Sequence, residues 1–184
     1  GIGRARAGTV LAEGPGAGWV AAFPHSPFSG PATADSTGDS VQLAAGLLEG
    51  QLRQTVEGLV LMRKARLELE RPADSARQWD DLDALSWREL EVEERALCPV
   101  LLLVGDASVL AGRGLAQLAW LLGTDLPVKL VVLADLDLGL AALPAPTTRL
   151  SATTDTSVNL GLLTLSQRGA YVAQTSLGAS GHLI

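Results

Sequence analysis

Apolar positions along the chain fall into distinct patterns, each predicting a different element. From Val41 to Glu70, Leu43, Leu47, Leu48, Leu52, Val56, Leu59 and Val60 recur at three- and four-residue spacing, which predicts an amphipathic helix. Asp39 or Ser40 is placed to cap its start, and Pro72 to end it. Gly46 and Gly50 lie one turn apart in this helix, each at a cost of about 1 kcal/mol against alanine. Either another backbone approaches closely there or the helix tolerates a kink. Two other runs are of strand length and almost continuously apolar, PVLLLV at 99–104 and VKLVVLA at 128–134. Such runs predict parallel strands buried on both faces. A helix is predicted between them, from Val109 to Leu122. Thr9 to Leu11 predicts a further short strand, 157–168 a helix, and Ala170 to Gln174 a last strand. This alternation of strand and helix predicts an α/β fold, a parallel sheet with helices on both faces.

The remaining segments are irregular or charged. After the first strand comes a glycine-rich turn, Gly14-Pro15-Gly16-Ala17-Gly18, and then a second short apolar run from Trp19 to Phe23. Residues 24–40 are rich in Pro, Gly, Ser and Thr without periodicity, and predict a loop. Between Arg63 and Arg95 stand 17 of the 34 charged residues, against nine from Cys98 onward. Residues 73–97 therefore predict one or two short helices in a solvent-facing excursion, anchored by Leu82, Leu85, Leu90 and Leu97. The acidic run Glu89 to Glu94 reads as a solvated face of it.

The 184 residues suit a single domain over 1–184, with 73–97 as its appendage. An apolar fraction of 47% and a mean hydropathy of +0.26 exclude a disordered chain. A net charge of −6 without a basic patch argues against nucleic acid and anionic membrane as partners. The single cysteine, Cys98, excludes an internal disulfide and a multi-cysteine metal site, and reads as a small buried hydrophobe at a strand start. No run of 18 apolar residues and no signal-peptide pattern occur, so the expected setting is the cytoplasm.

In parallel sheets, ligands bind outside the carboxyl ends of the strands. Asp106 follows the first long strand, in Gly105-Asp106-Ala107-Ser108, and Asp135 and Asp137 follow the second. If the strands are neighbours, these carboxylates converge beside a helix N-terminus, a setting for Mg²⁺ and a diphosphate. The competing explanation is that Asp106 simply caps a helix. Gly14-x-Gly16-x-Gly18 and Gly112-x-Gly114 are too incomplete for a dinucleotide fingerprint. His25 and His182 are far apart in sequence and read as surface residues, and Trp120 as core.

Several segments share their order with one family. GPGAGWVAAFPHSPF stands where that family has Gly-Cys-Ser-Ser-Ile-Trp-Gly followed by Pro-x-x-Pro-Tyr. Thr37-Gly38-Asp39-Ser40 stands for a Trp-Gly-Asn-Ser turn, Gly105-Asp106-Ala107 for Gly-Asp-Gly, and LGLLTLSQRGAYVAQTSLG for a closing Tyr-Gly, Val-Tyr-Val-Ala, Met-Gly pattern. Over nearly its whole length the chain resembles the C-terminal thiamine diphosphate-binding domain of the pyruvate:ferredoxin (2-oxoacid) oxidoreductases.

The resemblance implies the thiamine diphosphate-binding fold and part of an enzyme of oxidative 2-oxoacid decarboxylation. It implies Asp106, Asp135 and Asp137 as Mg²⁺ ligands, Asp137 through its carbonyl. It places Gly105, Asp106, Ala107 and Ser108 at the diphosphate, and Trp19 along the cofactor pocket, where core packing is the other reading. It also implies a pyrimidine-binding partner domain, a homo-oligomer, and iron–sulfur clusters held outside this chain, which would be one part of a longer protein and inactive alone. Departures are specific: Ala107 replaces a glycine, Pro15 a cysteine near the thiazolium ring, and Leu140 an asparagine, within a polar loop that has become LGLAALPAP. The alternative is a degenerate relative that keeps the fold in a structural or docking role.

Overall fold

The computed structural model describes residues 8–13, 18, 20, 28, 30–70, 75–133, 160–167 and 169–173. Four parallel strands form one sheet: β1 (Thr9–Leu11), β2 (Ala32–Ala34), β3 (Leu101–Asp106) and β4 (Val128–Leu133), in the order β2-β1-β3-β4. In register, Val10 lies beside Leu103, and Leu103 beside Leu130. The helices are α1 (Ser40–Glu70), α2 (Ser75–Asp83), α3 (Val92–Arg95), α4 (Ala107–Leu110), α5 (Leu115–Leu122) and α6 (Leu160–Leu165), with a 3-10 turn at Trp87–Glu89.

The predicted α/β class and parallel sheet hold, and the strand order explains where the helices pack. The crossovers from β2 to β3 and from β3 to β4 run in the same direction along the sheet, so right-handedness puts both on one face. On that face Val10, Ala12, Leu101 and Leu103 meet Val41, Ala44 and Leu48 of α1, Leu110 of α4, Leu118 and Leu121 of α5, and Leu160 of α6. Helices on both faces were expected; among the described residues the core cluster accounts for one. On the opposite face one register row grades from Leu11, fully buried, through Val104 to Val131, 42% exposed.

Several boundaries differ from the sequence expectation for identifiable reasons. The loop expected over 24–40 contains β2, whose Ala-Thr-Ala sequence carries no apolar signal. It is held by backbone bonds, from Thr9 N–H to the Pro31 carbonyl and from Asp35 N–H to the Leu11 carbonyl. β3 runs two residues past Val104, so Gly105 and Asp106 are strand residues paired with Val132 and Leu133. The helix expected at 109–122 is split into α4 and α5. At the break, a Cβ on Gly114 would lie 2.6 Å from that of Val41, so this turn packs directly on the start of α1. Residues 170–173 are not a strand; Gln174 lies outside the described residues. Trp120, expected in the core, is 58% exposed, and Leu47 and Leu97 also face outward.

The charged excursion is fastened to α1. Arg63 donates two hydrogen bonds of 2.7 Å to the two carboxylate oxygens of Glu94, joining α1 to α3. Lys64 pairs with Asp83 and lies 4.9 Å above the Trp79 ring. Cys98 is buried, as expected.

Neither Gly46 nor Gly50 has any atom within 4 Å of an added Cβ among the described residues, so close approach does not explain them. Gly46→Ala and Gly50→Ala should therefore each stabilise the protein by about 1 kcal/mol in urea unfolding. Gly114→Ala should destabilise it by about 1–3 kcal/mol, because Val41 would have to move.

Candidate functional site

The β2-β1-β3 order reverses the direction of the chain at β1. The β1/β3 tips are thus the topological switch point, where sheets of this class take ligands. Gly105 and Ala12 meet there: a Cβ on Gly105 would fall 2.5 Å from that of Ala12 and 3.2 Å from Cγ of Leu110. The β1 tip is held by Ala12 N–H donating to the Val104 carbonyl at 2.8 Å. Gly105 is required by this packing, and Ala107 packs its methyl against the core cluster. Ser108 lies within α4.

Asp106 is half-buried at the end of β3, in the register row of Leu133. It occupies the N-cap position of α4 with extended backbone, φ −71° and ψ 145°, yet its side chain makes no capping bond. The cap explanation thus accounts for its backbone but not for its carboxylate, which makes no bond to the helix it precedes. Of the expected metal ligands only Asp106 is within the described residues; Asp135 and Asp137 lie outside them, as do Trp19, Pro15, Leu140, His25 and His182. Among the described residues no three His, Cys, Asp or Glu come together to hold a metal ion.

Two features of this end of the sheet escaped the sequence analysis. The first is Asp35, immediately after β2 and 7% exposed. Its Oδ1 accepts hydrogen bonds from Thr37 N–H at 2.9 Å and from the Thr37 hydroxyl at 2.6 Å. Oδ2 is buried with no donor at hydrogen-bonding geometry among the described residues. Burial opposes ionisation, but the Thr37 bonds, with help from the backbone N–H groups of Asp39 and Gly38, outweigh it and hold the carboxyl below its usual range. An Asp-x-Thr turn before a helix was the available signal. The second is Arg113, in the α4–α5 turn, with Nη1 4.0 Å from Oδ1 of Asp39. Asp39 immediately precedes α1, and its carbonyl accepts the Leu43 N–H at 2.9 Å.

A separate groove of about 340 Å³ opens at the amino ends of β3 and β4, between Trp87, Val92, Arg95, Val128 and Lys129. It contains none of the expected site residues.

No family model, curated protein or solved structure matches this chain.

Because the folded-state pKa of Asp35 is depressed, its stabilising contribution is complete above the unfolded value near 3.8 and is lost as pH falls through the folded value. Asp35→Ala should cost about 1–3 kcal/mol at pH 7. Asp35→Asn should remove part of the stability loss below pH 4, measured as urea midpoints against pH.

Proposed function

We propose that this chain is the diphosphate- and Mg²⁺-binding domain of a thiamine diphosphate-dependent 2-oxoacid:ferredoxin oxidoreductase. The observation that carries the reading is the carboxylate of Asp106 at the tip of β3, beside the switch point, which makes no capping bond to its own helix. A carboxylate left unused by its own helix is a suitable hard oxygen ligand for Mg²⁺. The donor chemistry of this end of the sheet fits the cofactor to that extent. Asp106 would hold the metal with Asp135 and the carbonyl of Asp137, and Trp19 would line the thiamine pocket. When bound, the cofactor supplies the carbanion that attacks the keto carbon and holds the electrons left by decarboxylation.

The chain's own part is to fix the polar tail of the cofactor. Gly105 against Ala12 sets the height of the β3 tip, and Asp106, the next residue, is placed by it. The pyrimidine half of the site, the redox clusters and the electron acceptor would belong to partner domains, and assembly as a homo-oligomer in the cytoplasm is part of the same reading.

A second reading has a specific observation in its favour. Gly105 and Ala107 are both accounted for by packing, against Ala12 and Leu110 and against the core. A degenerate domain with a structural or docking role would keep both.

Calorimetric titration of the chain with thiamine diphosphate, with and without Mg²⁺, separates the two. The first reading expects Mg²⁺-dependent binding that Asp106→Ala abolishes. Absence of heat at millimolar cofactor, or binding indifferent to Asp106→Ala, would favour the second.

A further inference from the structure

Arg113 is placed at the carboxyl end of the sheet by the break between α4 and α5. Gly114, the next residue, packs on Val41 so closely that no side chain fits between them. The turn is thereby fixed beside the first residues of α1. There Arg113 faces Asp39 across 4.0 Å, with the two side chains 78% and 52% exposed. A pair so long and so solvated contributes little to stability. It keeps a guanidinium beside the start of α1 without occupying all its donors, since a guanidinium offers five N–H groups in a planar fork.

Among the described residues, no other side chain at the start of α1 is shown offering an anion a comparable partner. The backbone N–H groups before α1, at Thr37, Gly38 and Asp39, already face the carboxylate of Asp35. An incoming phosphate would meet that charge instead of free donors. Glu13, Asp39 and Asp106, also at this end, repel anions as well unless a metal intervenes; Glu13 Oε2 lies 3.8 Å from the Cβ position of Gly38.

We propose that Arg113 is an anion-binding residue of this site, taking a diphosphate oxygen in exchange for Asp39. The identity of the anion rests on the function proposed above; the exchange itself does not. Asp39 acts as a placeholder, orienting the guanidinium until the ligand displaces it. Two opposite effects follow. Removing Arg113 weakens the anion, and neutralising Asp39 strengthens it, because the ligand no longer competes with a carboxylate. Asn is as good a residue before a helix as Asp, so Asp39→Asn leaves the start of α1 intact.

The test titrates the whole chain with inorganic diphosphate and with thiamine diphosphate, each with Mg²⁺ at low ionic strength. It uses Arg113→Ala, Arg113→Lys, Asp39→Asn and the Arg113→Ala/Asp39→Asn double variant, with melting temperatures recorded. Arg113→Ala should weaken inorganic diphosphate roughly tenfold, as for loss of a charge-assisted hydrogen bond. Arg113→Lys should recover part of this. Asp39→Asn should tighten binding about threefold, and only while Arg113 is present, since the pair it breaks is an exposed one. Melting temperatures should be little changed. Unchanged affinity in Arg113→Ala, or equal tightening by Asp39→Asn without Arg113, overturns the assignment while leaving cofactor binding through Asp106 in place. Arg113-dependent binding of inorganic diphosphate with no binding of thiamine diphosphate sustains the assignment and ends the cofactor reading. Failure of the wild type to bind either ligand ends both.

Discussion

The contact on which this fold depends is the approach of Gly105 to Ala12, where a single added carbon would sit at 2.5 Å from its neighbour. It lies where the two central strands come together, with Ala12 N–H bonded to the Val104 carbonyl. From there the geometry propagates outward. Right-handed crossovers bring α1 and α5 onto one face, and the apolar side chains of that face converge on Val10 and Leu103, both fully buried. Asp106 and the turn into α4 come next along the chain. Packing at the sheet centre and placement of the candidate ligand are consequences of the same short contact.

α1 answers two requirements along its 31 residues. Its first third presents Val41, Ala44 and Leu48 to the sheet. Its last third extends past that contact and is stabilised differently, by Arg63 bonded to Glu94 and by Lys64 paired with Asp83 over Trp79. The Arg63–Glu94 contact is bidentate and only 30% and 17% exposed, so it is less screened than an ordinary surface pair. Glu94 also accepts the Glu91 N–H at the start of α3. Together these bonds hold Glu94 ionised below its usual carboxylate range, Arg63 being the larger cause. The charge density that marked residues 73–97 as solvent-facing is therefore also the means by which they are held.

What could be read in the sequence was whatever depends on many residues at once. The α1 stripe, the two long strands and the parallel class each rest on six or more apolar positions, so misreading one does little harm. The misses rest on single contacts. β2 is held by backbone bonds, and Ala-Thr-Ala gives no apolar pattern to detect. The helix through 109–122 is broken because Gly114 must lie against Val41, a residue far away in sequence. Trp120 continues the apolar run of α5 but looks outward, since a nearly continuous apolar run does not itself choose which face is buried. Asp106 was legible as an acid after a strand, but whether its side chain capped the helix was a question of geometry. Arg113 and Asp39 are ordinary residues in sequence and meet only because the α4–α5 turn is docked on α1.

The charge arrangement at the strand tips also limits what could bind there. A helix start is ordinarily a source of free N–H donors and positive potential. Here the turn that leads into α1 carries its own carboxylate, Asp35, buried and bonded to Thr37. Hydrogen bonds from the turn before α1 stabilise this internal anion, which is why Asp35 stays ionised despite its burial. A site whose approach to α1 is lined by Asp35, Asp39 and Glu13 cannot rely on backbone dipoles alone to hold a polyanion. It needs a cation, either a metal carried on Asp106 or a side chain free to exchange partners. The first matches hard-oxygen chemistry, and the second matches a guanidinium held by a long, solvated pair. Both lie at the same end of the sheet, and recognition of an anion there would depend on them rather than on α1.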